Sequence, residues 1–495
     1  MRKFIEKHQD GIQRGLEILP GFVSWNLILF PYWGIIVMPV VVAYFILIFN
    51  VYWFYQSLQI AITSIISHIK IQAAKIYDWM GDVRGFPDWQ RVRHVVIITT
   101  YKEPEHILER TLKSLADQEL PTKQIIPVLA MEEKESEEER LKKFKSLNAK
   151  FGKVFGHLYI TTHPLLTGEV AGKASNERYA AIWIKKNYID KNKIDINYVT
   201  VTSCDADHKF HPKHFANLTY KFLDNPDRYK TFWQPSVMFY NNIWEIPAIT
   251  RVPNTLMTIW NLSQLSRRDR LINCQNYSLS FKLLDETGYW DADKIPEDWG
   301  IFFKAFYKTR GVEVEPIYLP LLADAAQSTS FWKTIKNQYQ QIQRWAWGVS
   351  DDPWIIKSYF LTRDVPFWDK TLRLIQVTWA HFSWPVNWFI ITVGLTLPTL
   401  LNPAFGRTVL GYTVPKLSSF ILTISLVFLG ITIIIDSLQK PARPKNVPFW
   451  RQLLIPFEFV LMPISGFFFS ALPGIDAHTR LMLGKYMEYK VTEKV

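Results

Sequence analysis

Residues 203–207 read Ser-Cys-Asp-Ala-Asp, an Asp205-x-Asp207 pair placed directly after the apolar run at 198–202. Two carboxylates one residue apart at a strand's end can share one divalent cation. Hard Mg2+ or Mn2+ can in turn clamp a diphosphate, because both prefer carboxylate and phosphate oxygens. Alone, such a pair is usually a surface turn; the downstream residues give it weight. Glu297-Asp298 follows Pro296, with Trp299, Ile301, Phe302 and Phe303 beside it. A carboxylate in that setting has its pKa raised toward the working range of a general base for a hydroxyl proton. The same acidic pair is also an ordinary helix start. Further on, Gln341-Ile-Gln-Arg344-Trp345 places positions 341 and 345 on one helix face. The indole offers a stacking surface for a sugar, and the guanidinium a fork for phosphate. Upstream, Thr100, Tyr101 and Glu103 follow a strand-like run, and Lys173 and Asn176 open a helix after Gly168 and Gly172. A cation at a helix N-terminus favours an anion.

These residues need a scaffold, and the pattern supplies one. Val95–Thr100 reads as a buried strand, Glu105–Gln118 as a helix, Ile125–Met131 as a second strand followed by a charged helix, and Val154–Thr161 as a third strand. Gly172–Asn187 reads as helix and Tyr198–Ser203 as a fourth strand. This alternation predicts a mostly parallel, doubly wound sheet with helices on both faces. Such sheets bind ligands at the carboxyl ends of their strands. Thr99–Pro104 and Asp205–Asp207 both fall at such ends.

The chain has 495 residues and 48% hydrophobic content. No Asp, Glu, Lys or Arg occurs from Ile18 to Ile69. A bilayer crossing takes about 20 apolar residues, so this run holds two, turning near Pro31 to Pro39. It is too long for a secretory signal. Leu374–Leu401, Leu417–Ile435 and Leu453–Leu472 are further candidates; the third carries Glu458, Pro456 and Pro463 and is the weakest. The net charge is +12. Lys and Arg collect on the flanks of the apolar segments, as at Lys440, Arg443, Lys445 and Arg451, which suits anionic headgroups and a cytoplasmic side. No basic stripe with stacking aromatics appears, which argues against nucleic acid. The two cysteines, Cys204 and Cys274, form neither a metal pair nor a disulfide scaffold.

The ordered set Thr99–Pro104, Gly172-Lys173-Ala-Ser-Asn176, Cys204–Asp207, Glu297-Asp298 and Gln341-x-x-Arg344-Trp345 resembles the membrane-bound family 2 glycosyltransferases of the cellulose synthase and hyaluronan synthase type. The resemblance spans residues 92–350. It implies an α/β domain of GT-A type, Rossmann-like with a mostly parallel sheet, embedded between α-helical transmembrane segments. It implies an inverting transfer from a nucleotide-diphosphate sugar, a UDP- or GDP-sugar, to a glycan or lipid acceptor. Asp298 would be the base with Glu297 beside it. Asp207 would be the main ligand of Mg2+ or Mn2+, with Asp205 on metal or ribose. Thr100, Tyr101, Glu103, Lys173, Asn176, Gln341, Arg344 and Trp345 would hold the donor. The tail Tyr489-Lys-Val-Thr492-Glu-Lys494 resembles a gating loop whose Thr492 and Lys494 would reach the nucleotide. Glu132 and Glu133 stand where the family usually shows an Asp-Asp-Gly turn.

The expected layout is an amphipathic lead (1–17), two membrane helices (18–69), a cytosolic catalytic domain (82–352), an interfacial segment (353–373), a C-terminal membrane region of two to three segments (374–472) and a cytosolic tail (473–495). The expected setting is the plasma (inner) membrane. Three functions are open at this point. One is polysaccharide extension at the cytoplasmic face. Another is transfer of one sugar to a lipid or polyprenyl phosphate. The last is nucleotide-sugar binding without catalysis.

Overall fold

The computed structural model describes residues 2–394, 397–442 and 455–488. Thr492, Lys494 and the basic flank at 443–451 lie outside the described residues. The chain divides into two compact units, one formed mainly by residues 69–243 and 264–329, the other by 1–68, 244–263 and 330–487.

The first unit is built on an eight-stranded sheet, β1 (Arg93–Thr100), β2 (Ile125–Glu132), β3 (Tyr159–His163), β4 (Val199–Asp205), β5 (Lys209–Phe210), β6 (Thr231–Met238), β7 (Tyr277–Ser280) and β8 (Glu313–Leu322). Their order is β3-β2-β1-β4-β7-β6-β8-β5. The first four in that order run parallel, as the helix–strand alternation requires. β7 is antiparallel to both β4 and β6, so the sheet is mixed beyond β4. Strands β1 and β2 are nearly continuous apolar runs because helices cover both faces: Val95, Val96, Ile97, Ile98 and most of β2 are fully buried. β6 and β8 run parallel with a register shift between Pro235 and Ser236, where proline lacks a ladder donor.

Register sets the site. Thr99 pairs with Asp205 across β1 and β4, and Thr100 with Met131 across β1 and β2. The carboxyl ends of the three central strands are therefore level. The third strand departs from the sequence expectation of Val154–Thr161. Lys123 Nζ donates to the carbonyls of Lys153 and Phe155 at 2.8 and 2.9 Å. A Cβ on Gly156 would stand 2.8 Å from the Lys123 carbonyl oxygen. Backbone at 153–156 is thus committed to a loop, and pairing with β2 starts at Tyr159.

The second unit is helical. Gln9–Val37 and Pro39–Ile76 meet at Met38, as expected for a residue before proline. Ile35, Val42, Ala43 and Ile46 pack with Phe405 and Val414, and Ile28 and Phe49 with Val386, Ile390 and Ile475. Four described segments are long and apolar enough to cross a membrane: Gln9–Val37, Pro39–Ile76, Val409–Gln439 and Phe457–Met482. On Val409–Gln439, Phe420, Leu426, Val427 and Ile434 are each more than 60% exposed, a surface suited to lipid and not to water. The expected crossing at 374–401 is not among the four. Its helix, Phe367–Thr392, ends before 394, and Gln376, His381 and Asn387 dilute its apolar character. The span thought weakest is among them, and its Glu458 pairs with Arg251.

Candidate active site

At the end of β1, Thr100 Oγ1 donates to Glu103 Oε2 at 2.8 Å, and the Tyr101 N–H donates to the same oxygen. Lys102 between them takes φ +64°, which lets the chain double back. Buried Glu103 thus shapes the loop that carries Thr100 and Tyr101. Asn176, buried on the helix Lys173–Ile184, donates to the Ala130 carbonyl of β2 at 2.9 Å and pins that helix start to the sheet edge. At the end of β2, Glu132 lies 3.2 Å from His163 Nδ1, and Glu169 lies 3.0 Å from His163 Nε2. Burial would lower the His163 pKa, but the two carboxylates outweigh it and raise it. Glu132 is therefore held beside the His163 ring, while Glu133 contributes a backbone N–H to the His163 carbonyl at 3.0 Å.

Lys173 is the hub. Its Nζ stands 2.9 Å from Asp205 Oδ1, 2.9 Å from Glu297 Oε1 and 4.0 Å from Glu177 Oε1, and donates to the Gln275 carbonyl at 2.8 Å. Burial would lower its pKa; the surrounding carboxylates override that and hold it well above the usual range. One ammonium thus ties the end of β4, the start of the helix Asp298–Lys308 and the loop before β7. Glu177 lies beneath, fully buried, accepting from Ser203 Oγ at 2.6 Å. Burial pushes its carboxyl up to about 8.

Asp298 is the first residue of its helix, which Ile301, Phe302, Phe303 and Phe306 fasten into the core. Its Oδ2 accepts the Gln275 N–H at 3.1 Å and its Oδ1 the Trp299 N–H at 2.8 Å. Its carbonyl accepts from Asn273 Nδ2 at 2.8 Å. Burial, then the neighbouring Glu297 charge, pushes its carboxyl up to about 7. The two amide donors and Lys173 oppose this and lose. The loop around Gln275, itself at φ +61°, is locked by reciprocal bonds between Gln234 and Cys274 at 2.8 and 3.1 Å.

Asp207 is buried beside half-buried Asp205. Asp205, Asp207 and His208 each present a ligand atom within 4.8 Å of the others. The two carboxylates fit a hard divalent cation such as Mn2+ or Mg2+, and the imidazole adds a nitrogen donor that suits Mn2+ better than oxygen-seeking Mg2+. His208 was missed in the sequence, although its place directly after the acidic pair was a usable signal. Glu177 and Gln275 were also missed; neither has a local signature.

Gln341, Arg344 and Trp345 belong to the other unit, on the helix Phe331–Ala346. Gln341 is buried and the other two half-buried. That helix is anchored by Asn254 Nδ2 donating to Gln338 Oε1 at 2.7 Å, and by Gln343 donating to Asp476.

Residues 200–435 match the family model described as Glycosyl transferase family group 2. The resemblance to family 2 glycosyltransferases is thereby shown. The match takes in Asp205, Asp207, Glu297, Asp298, Gln341, Arg344 and Trp345; the Thr100 and Lys173 segments precede it. No curated protein sequence matches the chain. Among solved structures the chain is similar to the mannosyltransferase PcManGT from Pyrobaculum calidifontis in complex with GDP-Man and Mn2+. That likeness has 12% identity, covers 77% of this chain and 100% of that one, and has a TM-score of 0.42. It is also similar to S. aureus TarS 1–349 in complex with UDP-GlcNAc, at 14% identity, 81% and 94% coverage and a TM-score of 0.39.

Proposed function

We propose that the chain is an inverting, metal-dependent glycosyltransferase that takes a sugar from a nucleoside diphosphate and extends a polysaccharide at a membrane. The observation that carries this reading is the tie through Lys173. It holds Asp205 of the candidate donor site against Glu297, the residue before a carboxylate poised to change charge near neutrality. In the reaction the acceptor oxygen attacks the anomeric carbon and gives its proton to Asp298. The bond from that carbon to the diphosphate oxygen breaks on the opposite side, which inverts the centre. The start of the helix Lys173–Ile184 favours the departing negative charge. Asp205, Asp207 and His208 would hold Mg2+ or Mn2+, which when bound neutralises the diphosphate leaving group. Gln341, Arg344 and Trp345, on the helix Phe331–Ala346, bring a guanidinium and an indole of the kinds that suit phosphate and sugar.

The second reading, one sugar to a lipid or polyprenyl phosphate, is favoured by the small number of candidate crossings, four among the described residues. Both readings place the catalytic unit on the cytoplasmic side. Purified protein with Mn2+ or Mg2+ is expected to release nucleoside diphosphate from one of UDP-, GDP- or ADP-sugars. Product length with the radiolabelled donor then separates the readings. Donor binding without release from any of them would leave a binding protein and defeat the proposal.

A further inference from the structure

The turn that carries Asp207 is gripped from outside the motif by three side chains and one backbone N–H. On the helix Glu105–Ala116, Thr111 Oγ1 donates to the Ala206 carbonyl at 2.6 Å, and its neighbour Arg110 reaches the Asp207 carbonyl at 3.4 Å. Asn241, following β6, donates to the same carbonyl at 3.0 Å. Asp324, just past β8, uses its backbone N–H to donate to Asp207 Oδ2 at 2.7 Å. Arg110 and Asp324 then pair with each other at 2.6 Å, with Asp324 almost fully buried. The ion pair thus joins the helix after β1 to the end of β8, and both members hold Asp207: one by its carbonyl, the other by a carboxylate oxygen.

We propose that Arg110 and Asp324 are positioning residues that fix the rotamer of Asp207 for a divalent cation. This inference rests on the metal reading above. The donation from the Asp324 amide selects one carboxylate oxygen and so orients the other. The Arg110 guanidinium fixes where that amide sits, because Asp324 Oδ2 is its anchor. Backbone partners of a metal-binding carboxylate act on affinity through geometry, and outer-shell changes at such sites typically weaken metal binding about 10–100-fold. One guanidinium nitrogen reaches both Asp324 Oδ2 and the Asp207 carbonyl, and the rigid guanidinium plane holds it there better than a flexible ammonium would.

The test is Mn2+ binding to the full chain in detergent, read from the free-ion EPR signal, with melting followed in parallel. Asp324→Asn and Arg110→Met are expected to weaken Mn2+ binding at least about tenfold. Arg110→Lys is expected to recover part of that loss. Millimolar Mn2+ is expected to restore turnover in all three. Variants that melt earlier yet bind Mn2+ as tightly as the parent in their folded fraction would overturn the positioning role. If the parent binds no Mn2+, the metal reading itself fails; if the parent binds and the variants match it, only this inference fails.

Discussion

Replacing Asp298 by Asn tests the base directly. Asn keeps nearly the same volume and one oxygen for the Gln275 N–H, and the Asn273 bond to the 298 carbonyl remains; the Trp299 N–H loses its acceptor, a local cost at the helix start that is small beside the loss of the base. What disappears is the ability to take a proton. With its carboxyl pushed up to about 7, Asp298 is ionised in about one molecule in ten at pH 6 and about nine in ten at pH 8. The parent's turnover should therefore climb about tenfold across that interval, because the ionised form is the base. Loss of a general base lowers the rate by about 10²–10⁴-fold, or about 3–5 kcal/mol of barrier. The full deficit appears at pH 8; at pH 6 it shrinks about tenfold, since the parent itself is then mostly protonated. Release of nucleoside diphosphate against pH, with donor affinity by titration calorimetry, measures both sides. Donor affinity should stay within about threefold, because Asp298 contributes to the chemical step more than to ground-state binding. A variant within tenfold of the parent at pH 8, or one that keeps the acid limb, would refute the assignment.

Glu297→Gln removes the charge next to Asp298, so the acid limb of turnover should move to lower pH; an unmoved or raised limb counts against the coupling. Asp207→Ala should abolish Mn2+-dependent donor binding in calorimetry, and equal binding with and without the ion would contradict the metal role. Lys173→Met leaves Glu177, Glu297 and Asp205 without their shared cation and should destabilise the fold by about 3 kcal/mol, the low end for a broken buried pair because Asp205 is a third exposed. An unchanged denaturant midpoint would remove Lys173 from that role. His163 has a raised folded pKa, so its stabilisation is fully present below its ordinary 6.5 and fades as pH rises through the folded value. His163→Gln should flatten that part of the stability–pH curve, and an identical slope in the variant would discount this contribution.

The parallel half of the sheet was legible because its signals are local. β1 and β2 are nearly continuous apolar runs and β4 is a buried Val-Thr-Val-Thr stretch, and Thr99–Pro104 and Asp205–Asp207 sit at the ends of β1 and β4 as the strand direction demands. β3 was displaced because a lysine thirty residues earlier occupies the carbonyls at 153 and 155, a contact without a local pattern. Among the C-terminal spans, 417–435 lies within Val409–Gln439 and 453–472 overlaps Phe457–Met482, while 374–401 is not among the described candidates. Charge counting favoured 374–401 and disfavoured 453–472. Mean hydropathy is lowered by uncharged Gln, His and Asn, however, and Arg251, two hundred residues away in sequence, accommodates Glu458. The site divided along the same line. Asp205, Asp207, Glu297 and Asp298 announce themselves by type and spacing. Gln275, which sets the Asp298 carboxylate, and Glu177, which lies under Lys173, are defined only by where the chain returns to the edge of the sheet.

The charge arrangement on that edge also bears on the order of binding. Lys173 is already engaged by Asp205, Glu297 and Glu177, so its charge is largely taken up before any donor arrives. Burial first, and then the neighbouring Glu297 charge, pushes the carboxyls of Glu177 and Asp298 upward, and with Asp205 and Glu297 the edge holds more carboxyl groups than its one ammonium can balance. A bare diphosphate approaching these carboxylates would be repelled, and in a low-dielectric cleft that repulsion is stronger than in water. Asp205, Asp207 and His208 gather on this edge, at the end of β4, with ligand atoms close enough to share a cation. On the proposed reading, cation and donor must therefore bind synergistically: each lowers the electrostatic penalty of the other, and linkage makes that gain equal in both directions. The acidity of the edge is thus a reason for metal dependence in itself, independent of any ligand geometry.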